Sequence, residues 1–301
     1  GVGLGNAHIL SAQEGFALAV LSELAADYHT PGRKAVAVNC ATSLRIKKLC
    51  SLFGIHVATA EVGEARVTAC ADSLRAQGYH VRIFGEGSNG GTIVAPSRVR
   101  DPLNAVLSFL RLLRYRNSLA PQYGEGSSPA DIVGYLCGMT IPPYAGLQDF
   151  LVVLPPFYTT ESSAPEALLP ADIDDLNRFK SAYENEFMLD WDIKRPSWLQ
   201  ETPLCRWQEE QSSGSSVQHG MGETFRNAPH TGGLKIILTD AHGEELAFMW
   251  MRPSGTEPVF RINVDCSEKA GGATTYKKLL AWHQELIERA LKTVKHAGQQ
   301  L

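Results

Sequence analysis

The chain has 301 residues, 44% of them hydrophobic and 20% charged, with a net charge of −4. That mix excludes intrinsic disorder and fibrous repeats, and 28 basic against 32 acidic residues leave no cationic excess for a nucleic-acid backbone. No apolar run approaches the ~18 residues of a membrane span, and the opening GVGLGNAHIL lacks the charged and apolar regions of a secretory leader, so neither membrane nor export is expected. At roughly 150 residues per domain, two domains are expected. Cys40, Cys50, Cys70, Cys137, Cys205 and Cys266 form no CxxC, which points to free thiols in the cytoplasm. The nine histidines form no zinc-type cluster, so no metal site is read from them. The chain starts without an initiator Met and is expected to be processed, or part of something longer.

The first 120 residues predict alternating helices and strands. Ser11 and Glu14 stand in capping-box spacing before the stripe Phe16, Val20 and Leu24, a helix to about Tyr28 that stops at Pro31-Gly32. Lys34 to Cys40 is short, apolar and β-branched, hence a strand. Thr42 or Ser43 can cap a second helix bearing Leu44, Leu49 and Leu52 and closed by Gly54. Ile55 to Val62 predicts a strand, Glu64 to Gln77 a helix, and Tyr79 to Phe84 another strand. After a glycine-rich loop, TIVAP is a short strand. Asp101 then caps a helix with Pro102 at its first position. Its stripe of Leu103, Val106, Leu107 and Leu110 is expected to face the core, with Arg111, Arg114 and Arg116 in the last turns. Strands separated by helices imply a three-layer α/β domain.

The middle is less regular. Pro121 to Asp131 reads as a loop, and LVVLPPFYTT as a strand ending at Pro155-Pro156. Asp172 to Phe187 predicts a helix with Leu176, Phe179, Tyr183 and Phe187 on one face. The polar stretch Gln208 to Gly233 predicts a long loop or hinge. Beyond it, GLKIILTD and ELAFMWMR flank the turn AHGE as a hairpin, and Val259 to Cys266 is a further strand. An amphipathic helix from about Thr274 carries Leu279, Leu280, Leu286, Ile287, Leu291 and Val294. Three or more antiparallel strands followed by a C-terminal helix make a small α+β domain.

Two loops carry chemistry. Gly85-x-Gly87-x-x-Gly90 fits the dinucleotide fingerprint, but that fingerprint must open a helix, and β-rich TIVAPS follows here. A nicotinamide-dependent oxidoreductase is therefore disfavoured. A tight hairpin is the plainer reading, and the polar insert Glu86, Ser88 and Asn89 goes beyond it, since a carboxylate and a hydroxyl can bind adjacent sugar hydroxyls. The glycines would let the backbone approach a ligand closely. The second loop is Arg252-Pro253-Ser254-Gly255-Thr256-Glu257-Pro258. Arg252 offers a planar, permanently charged fork suited to phosphate, Ser254 and Thr256 add hydroxyl donors, and Gly255 lets backbone N–H groups turn toward an anion. Arg261 adds a second cation. Glu257 is expected to turn away from the anion.

RPSGTEP followed by a strand bearing Arg261 resembles the phosphate-binding loop of the α-D-phosphohexomutases, the phosphoglucomutase and phosphomannomutase superfamily. GEGSNGG resembles that family's sugar-recognition loop, GE-x-S-G. The resemblance implies a sugar-binding third domain over 1–120, a connecting or insert region over 121–205, and a phosphate-binding fourth domain over 206–301. It implies that Glu86, Ser88 and Asn89 hold sugar hydroxyls, while Arg252, Ser254, Gly255, Thr256 and Arg261 hold the non-reacting phosphate of a mannose or glucose phosphate. The family moves a phosphoryl group between the 1- and 6-positions of a hexose. Its TASHNP-like phosphoserine loop and DGDxDR-like magnesium loop have no counterpart here. The chain is therefore expected to be a C-terminal half, inactive alone, with Mg2+ and the catalytic serine belonging to a missing N-terminal half. GVGLGN before the first helix resembles the stretch just after the magnesium loop. Asn39 and Glu64 fall where some members carry Lys and His, and Asn89 replaces a Gly. A non-catalytic sugar-phosphate-binding module is the alternative reading.

Overall fold

The structure is a computed structural model that describes residues 9–113, 127–142, 144–170, 173, 175–226, 231–254 and 259–298. The expectations for Gly1 to Asn6, Arg114, Arg116, Gly255, Thr256 and Glu257 fall outside the described residues.

The chain opens with α1 (Ala12–Ala26), whose capping box joins Ser11 to Glu14 as the spacing implied. β1 (Ala35–Asn39), α2 (Arg45–Leu52), β2 (His56–Ala60), α3 (Glu64–Ala76), β3 (Ile83–Glu86) and β4 (Gly91–Val94) follow. Their sheet has the order β2-β1-β3-β4, parallel except for the antiparallel β3–β4 hairpin. Phe16 through Leu21 are all fully buried, so α1 is enclosed on every side rather than along one stripe. The sheet covers one face, and α4 (Pro102–Leu112), α5 (Pro129–Cys137) and α6 (Leu147–Leu151) wrap the rest.

Two expectations fail here. α4 is capped by Asp101, but Leu103 is 64% exposed and Val106, Leu107 and Leu110 lie outside with it. Ser108 and Leu112 face inward instead, because Glu23 on α1 takes hydrogen bonds from Ser108 Oγ at 2.7 Å and Arg111 Nη1 at 2.6 Å. α5 lies partly where a loop was expected; Ser128, Asp131 and Pro129 form a capping box with proline in the first turn.

The rest builds a seven-stranded sheet. β5 (Phe157–Thr159) starts after Pro155-Pro156, where the sequence pattern ended a strand, and the residues before the prolines are the last residue of α6 and a turn instead. Then come β6 (Leu168–Pro170), α7 (Leu176–Met188), a π-turn over Leu189–Lys194, α8 (Ser197–Gln200), β7 (Arg206–Ser213) and β8 (Ser216–His219). β9 (Gly233–Thr239), β10 (Glu245–Pro253), β11 (Val259–Ser267) and α9 (Gly272–Gly298) complete it. The sheet order is β5-β11-β10-β9-β7-β8, with β6 also on β11. The expected α/β and α+β architecture is thus present. Residues of 121–205 divide between two cores: Ala130 to Leu154 pack on α1, and Leu176 to Leu204 pack under the second sheet.

The first part of the loop or hinge expected over Gln208 to Gly233 is instead the β7–β8 hairpin, which runs to His219. Its polar residues misled because Glu209, Glu210, Gln211 and Ser212 are buried. Burial, and then the neighbouring Glu184 carboxylate, push the Glu209 carboxyl up to about 9. Arg226 Nη2 pairs with Glu184 and ties the following turn onto α7.

The second sheet has two unlike faces. Leu234, Ile236, Met249, Met251, Ile262 and Val264 face α7 and α9. The alternate residues face the first sheet's loops, where Phe248, Trp250 and Ile237 cluster with Cys40, Ala41 and Leu44. Asp265, fully buried there, accepts the Leu44 N–H at 2.8 Å and the Thr159 hydroxyl. Asn263 Nδ2 donates to Ala41 O at 2.8 Å, and Arg45 Nη2 to Phe157 O at 2.7 Å. These bonds fix the first body against the second.

Candidate functional site: two candidate loops joined by one turn

β3 ends on Glu86, a one-turn 3-10 segment covers Gly87–Asn89, and β4 starts at Gly91. No helix opens at Gly90, so the geometry a dinucleotide fingerprint requires is not there. Gly85 and Gly87 are needed for packing rather than for ligand approach. A Cβ on Gly85, at φ +152°, would meet Gly91 O at 2.0 Å, and one on Gly87 would meet Gln13 Oε1 and Thr42 Cγ2 at 2.8 Å.

Glu86 is 3% exposed. Its Oε1 accepts from Gly63 N–H at 2.6 Å and Asn39 Nδ2 at 3.2 Å, and its Oε2 from Asn89 Nδ2 at 3.3 Å. Arg100 Nη1 lies 3.8 Å from Oε2, too long for a hydrogen bond. A carboxylate offers about four lone-pair sites, so these donors leave room by count for one ligand hydroxyl. Ser88 Oγ accepts from the same Asn39 amide at 2.9 Å. Ser88 is half-buried and opens into a cleft of about 450 Å³ shared with Ser11, Glu14, Arg45, Phe157 and Glu161. Asn89 is exposed. Asn39 is therefore a scaffold for the loop: Thr42 Oγ1 donates to its Oδ1 at 2.6 Å, which aims the amide at Glu86 and Ser88. Glu64 binds Arg100 Nε at 2.7 Å and shares that cation with Glu86.

Arg252 stands near the end of β10. In the β10–β11 register it lies directly opposite Arg261, on the face turned toward the first body. Like charges facing each other across a strand pair repel, and the Glu61 carboxylate already lies 3.7 Å from Arg252 Nε. Ser254 N–H donates to Val259 O at 2.8 Å and closes the hairpin end. Gly255 and Thr256, the remaining expected contacts, are outside the described residues.

Residues 61–63, between β2 and α3, touch both candidate loops. Gly63 N–H binds Glu86, Val62 O accepts from Arg252 Nη1 at 3.3 Å, and Glu61 Oε1 lies 3.7 Å from Arg252 Nε. The β3–β4 loop and the end of β10 thus meet at one turn, although 165 residues separate Glu86 from Arg252 in the chain. Sequence reasoning missed Glu61, Val62, Gly63 and Arg100, since no local motif marks them. Among the described residues, no group of three or more His, Cys, Asp or Glu could hold a metal ion. No helix among the described residues is long and apolar enough to cross a membrane.

No sequence-family model matches the chain, and no curated protein sequence does. Solved structures match in fold. The open form of the Paramecium exocytosis-sensitive phosphoprotein pp63/parafusin, a phosphoglucomutase, aligns over 94% of this chain and 42% of its own, with TM-score 0.53 and 13% identity. A phosphoglucomutase/phosphomannomutase family protein of Burkholderia thailandensis aligns over 96% of this chain and 43% of its own, with TM-score 0.47 and 16% identity. The chain spans less than half the length of either. The α/β and α+β architecture expected from the sequence is therefore borne out: this chain shares the fold of part of that Paramecium phosphoglucomutase.

Proposed function

We propose that the chain is the sugar- and phosphate-holding part of a phosphohexomutase of phosphomannomutase or phosphoglucomutase type. Arg252 and Arg261, with Ser254, Gly255 and Thr256, hold the phosphate that is not reacting. Glu86 accepts a sugar hydroxyl, Ser88 contacts a second, and Asn89 lies at the exposed rim of the loop. The observation that carries this reading is the register-opposed arginine pair, joined through residues 61–63 to the sugar loop. A ligand with a phosphate at one end and hydroxyls at the other fits that pairing, whereas inorganic phosphate alone leaves Glu86 and Ser88 without a role.

Positioning is most of what phosphoryl transfer asks of a protein, together with a nucleophile and a metal. In this proposal the nucleophile and the magnesium belong to the remainder of a longer, cytoplasmic enzyme, and the step itself is not carried by this chain. The chain alone is expected to bind glucose 1-phosphate or mannose 1-phosphate without turning it over.

Calorimetric titration with either ester tests the reading. Charge-assisted hydrogen bonds contribute about 1.5–3 kcal/mol each, so Arg252→Ala should weaken binding roughly ten- to a hundredfold. Glu86→Ala should weaken the sugar ester but leave inorganic phosphate binding unchanged. Equal affinity in wild type and both variants would overturn the proposal.

A further inference from the structure

A phosphate site gains from cations and loses from a fixed carboxylate, yet one stands beside Arg252. Glu61 follows the last residue of β2, and its side chain is 4% exposed. Its backbone N–H donates to Gly214 O at 2.9 Å, and its Oε2 accepts the Gly214 N–H at 2.9 Å. Gly214 is the turn between β7 and β8, so this two-way clasp joins the first body to the second. Arg66 on α3 lies 3.6 Å from the same carboxylate, and Arg252 Nε lies 3.7 Å away on the other oxygen. The Glu61–Arg252 separation exceeds hydrogen-bond length, so the contact is Coulombic and can be displaced.

Resting on the phosphate reading of Arg252, we propose that Glu61 is an internal anion that holds Arg252 when ligand is absent and lowers its affinity for phosphate. The carboxylate is held in place by Gly214, which does not depend on the arginine. An arriving phosphate therefore meets a fixed negative charge beside the guanidinium. It must either draw the guanidinium away from Glu61 or bind against that charge, and affinity falls in both cases. Drawing Arg252 away also loosens its bond to Val62 O, the residue next to the Gly63 amide that holds Glu86. Phosphate arrival is by this route felt at the sugar loop.

Calorimetric titration with inorganic phosphate, on the full chain, tests this. Glu61→Gln keeps an oxygen for the Gly214 N–H and removes only the charge. It should tighten phosphate binding roughly tenfold, the effect of losing a like charge a few ångströms from the ligand at a partly screened site. Unchanged or weaker binding in Glu61→Gln, while Arg252→Ala loses phosphate, would mean that Glu61 only orients Arg252 and would overturn the inference. Full binding in Arg252→Ala would overturn the phosphate reading itself. A measurement on the wild type does not depend on either variant folding: the Glu61 carboxyl-carbon resonance should move as phosphate saturates the chain. A resonance that stays still contradicts the proposal.

Discussion

The two sheets bury their faces differently. In the first, α1 and α3 cover opposite sides of short parallel strands, and almost everything between them is aliphatic. In the second, one face packs aliphatic and aromatic side chains against α7 and α9, with Glu209 and Gln211 buried beside Glu184 at its edge, while the other presents Asn263, Asp265, Lys235 and Glu210, all buried, toward the first body. An aliphatic interior tolerates many partners of suitable size, whereas a buried polar face demands matched donors and acceptors. On the second sheet's polar face the Leu44 amide meets Asp265 and the Ala41 carbonyl meets Asn263 Nδ2, whereas Glu210 Oε2 and Asn263 Oδ1 are buried without a hydrogen-bond partner. The relative position of the two bodies is therefore specified by hydrogen bonds, and the candidate site lies where both contribute residues.

The contrast can be sharpened by substitution, beginning with the largest effect. Phe179→Ala empties a fully buried position under the second sheet and should cost about 3–5 kcal/mol in denaturant unfolding. Leu103→Gln on the exposed face of α4 should stay within about 0.5 kcal/mol of wild type. Asp265→Ala orphans the Leu44 N–H, at about 1–3 kcal/mol, and should expose the join between the bodies to proteolysis before either core unfolds.

The buried ionisable groups give opposite pH slopes. The folded Glu209 carboxyl keeps its proton up to about 9, against an ordinary value of 4.5, so the unfolded chain releases its proton first and stability falls as pH rises between those values. Glu209→Gln should flatten that fall and exceed wild type in melting temperature at pH 8. His283 is the reverse. Burial depresses it from 6.5 to about 4, so the unfolded chain binds its proton first and stability is lost as pH drops through that range. His283→Gln should reduce this acid-side loss. A small, salt-dependent effect is expected at the rim, where Lys47 meets Glu245 at 2.8 Å. Lys47→Ala should cost about 0.2–1 kcal/mol and vanish in high salt.

The aliphatic sheet was the legible one. Ser11, Glu14 and the β-branched run of β1 announce themselves locally, and so do the hairpin around Asp240 and the apolar face of α9. β7 was not legible, because Gln208-Glu209-Glu210-Gln211 reads as solvated surface unless one knows that Lys235 comes to meet Glu210 and Glu184 to meet Gln211. The stripe of α4 misled for a related reason: a helix apolar nearly all round does not say which side faces α1, and the Glu23 contacts to Ser108 and Arg111 decide it. At the site, the loops around Glu86 and Arg252 were visible as motifs. Asn39, Arg100 and Glu61 were not visible as their partners, since those contacts exist only after segments far apart in the chain come together.

The central claim is that Glu86 and Arg252 serve one ligand. Determining the structure of the chain with a hexose monophosphate bound tests it most directly. The account predicts the phosphate against Arg252 and Arg261, a sugar hydroxyl on Glu86, and Glu61 parted from the guanidinium. A hexose phosphate seated elsewhere, with the Glu61–Arg252 contact intact and Glu86 bound only by Asn39, Gly63 and Asn89, would contradict it.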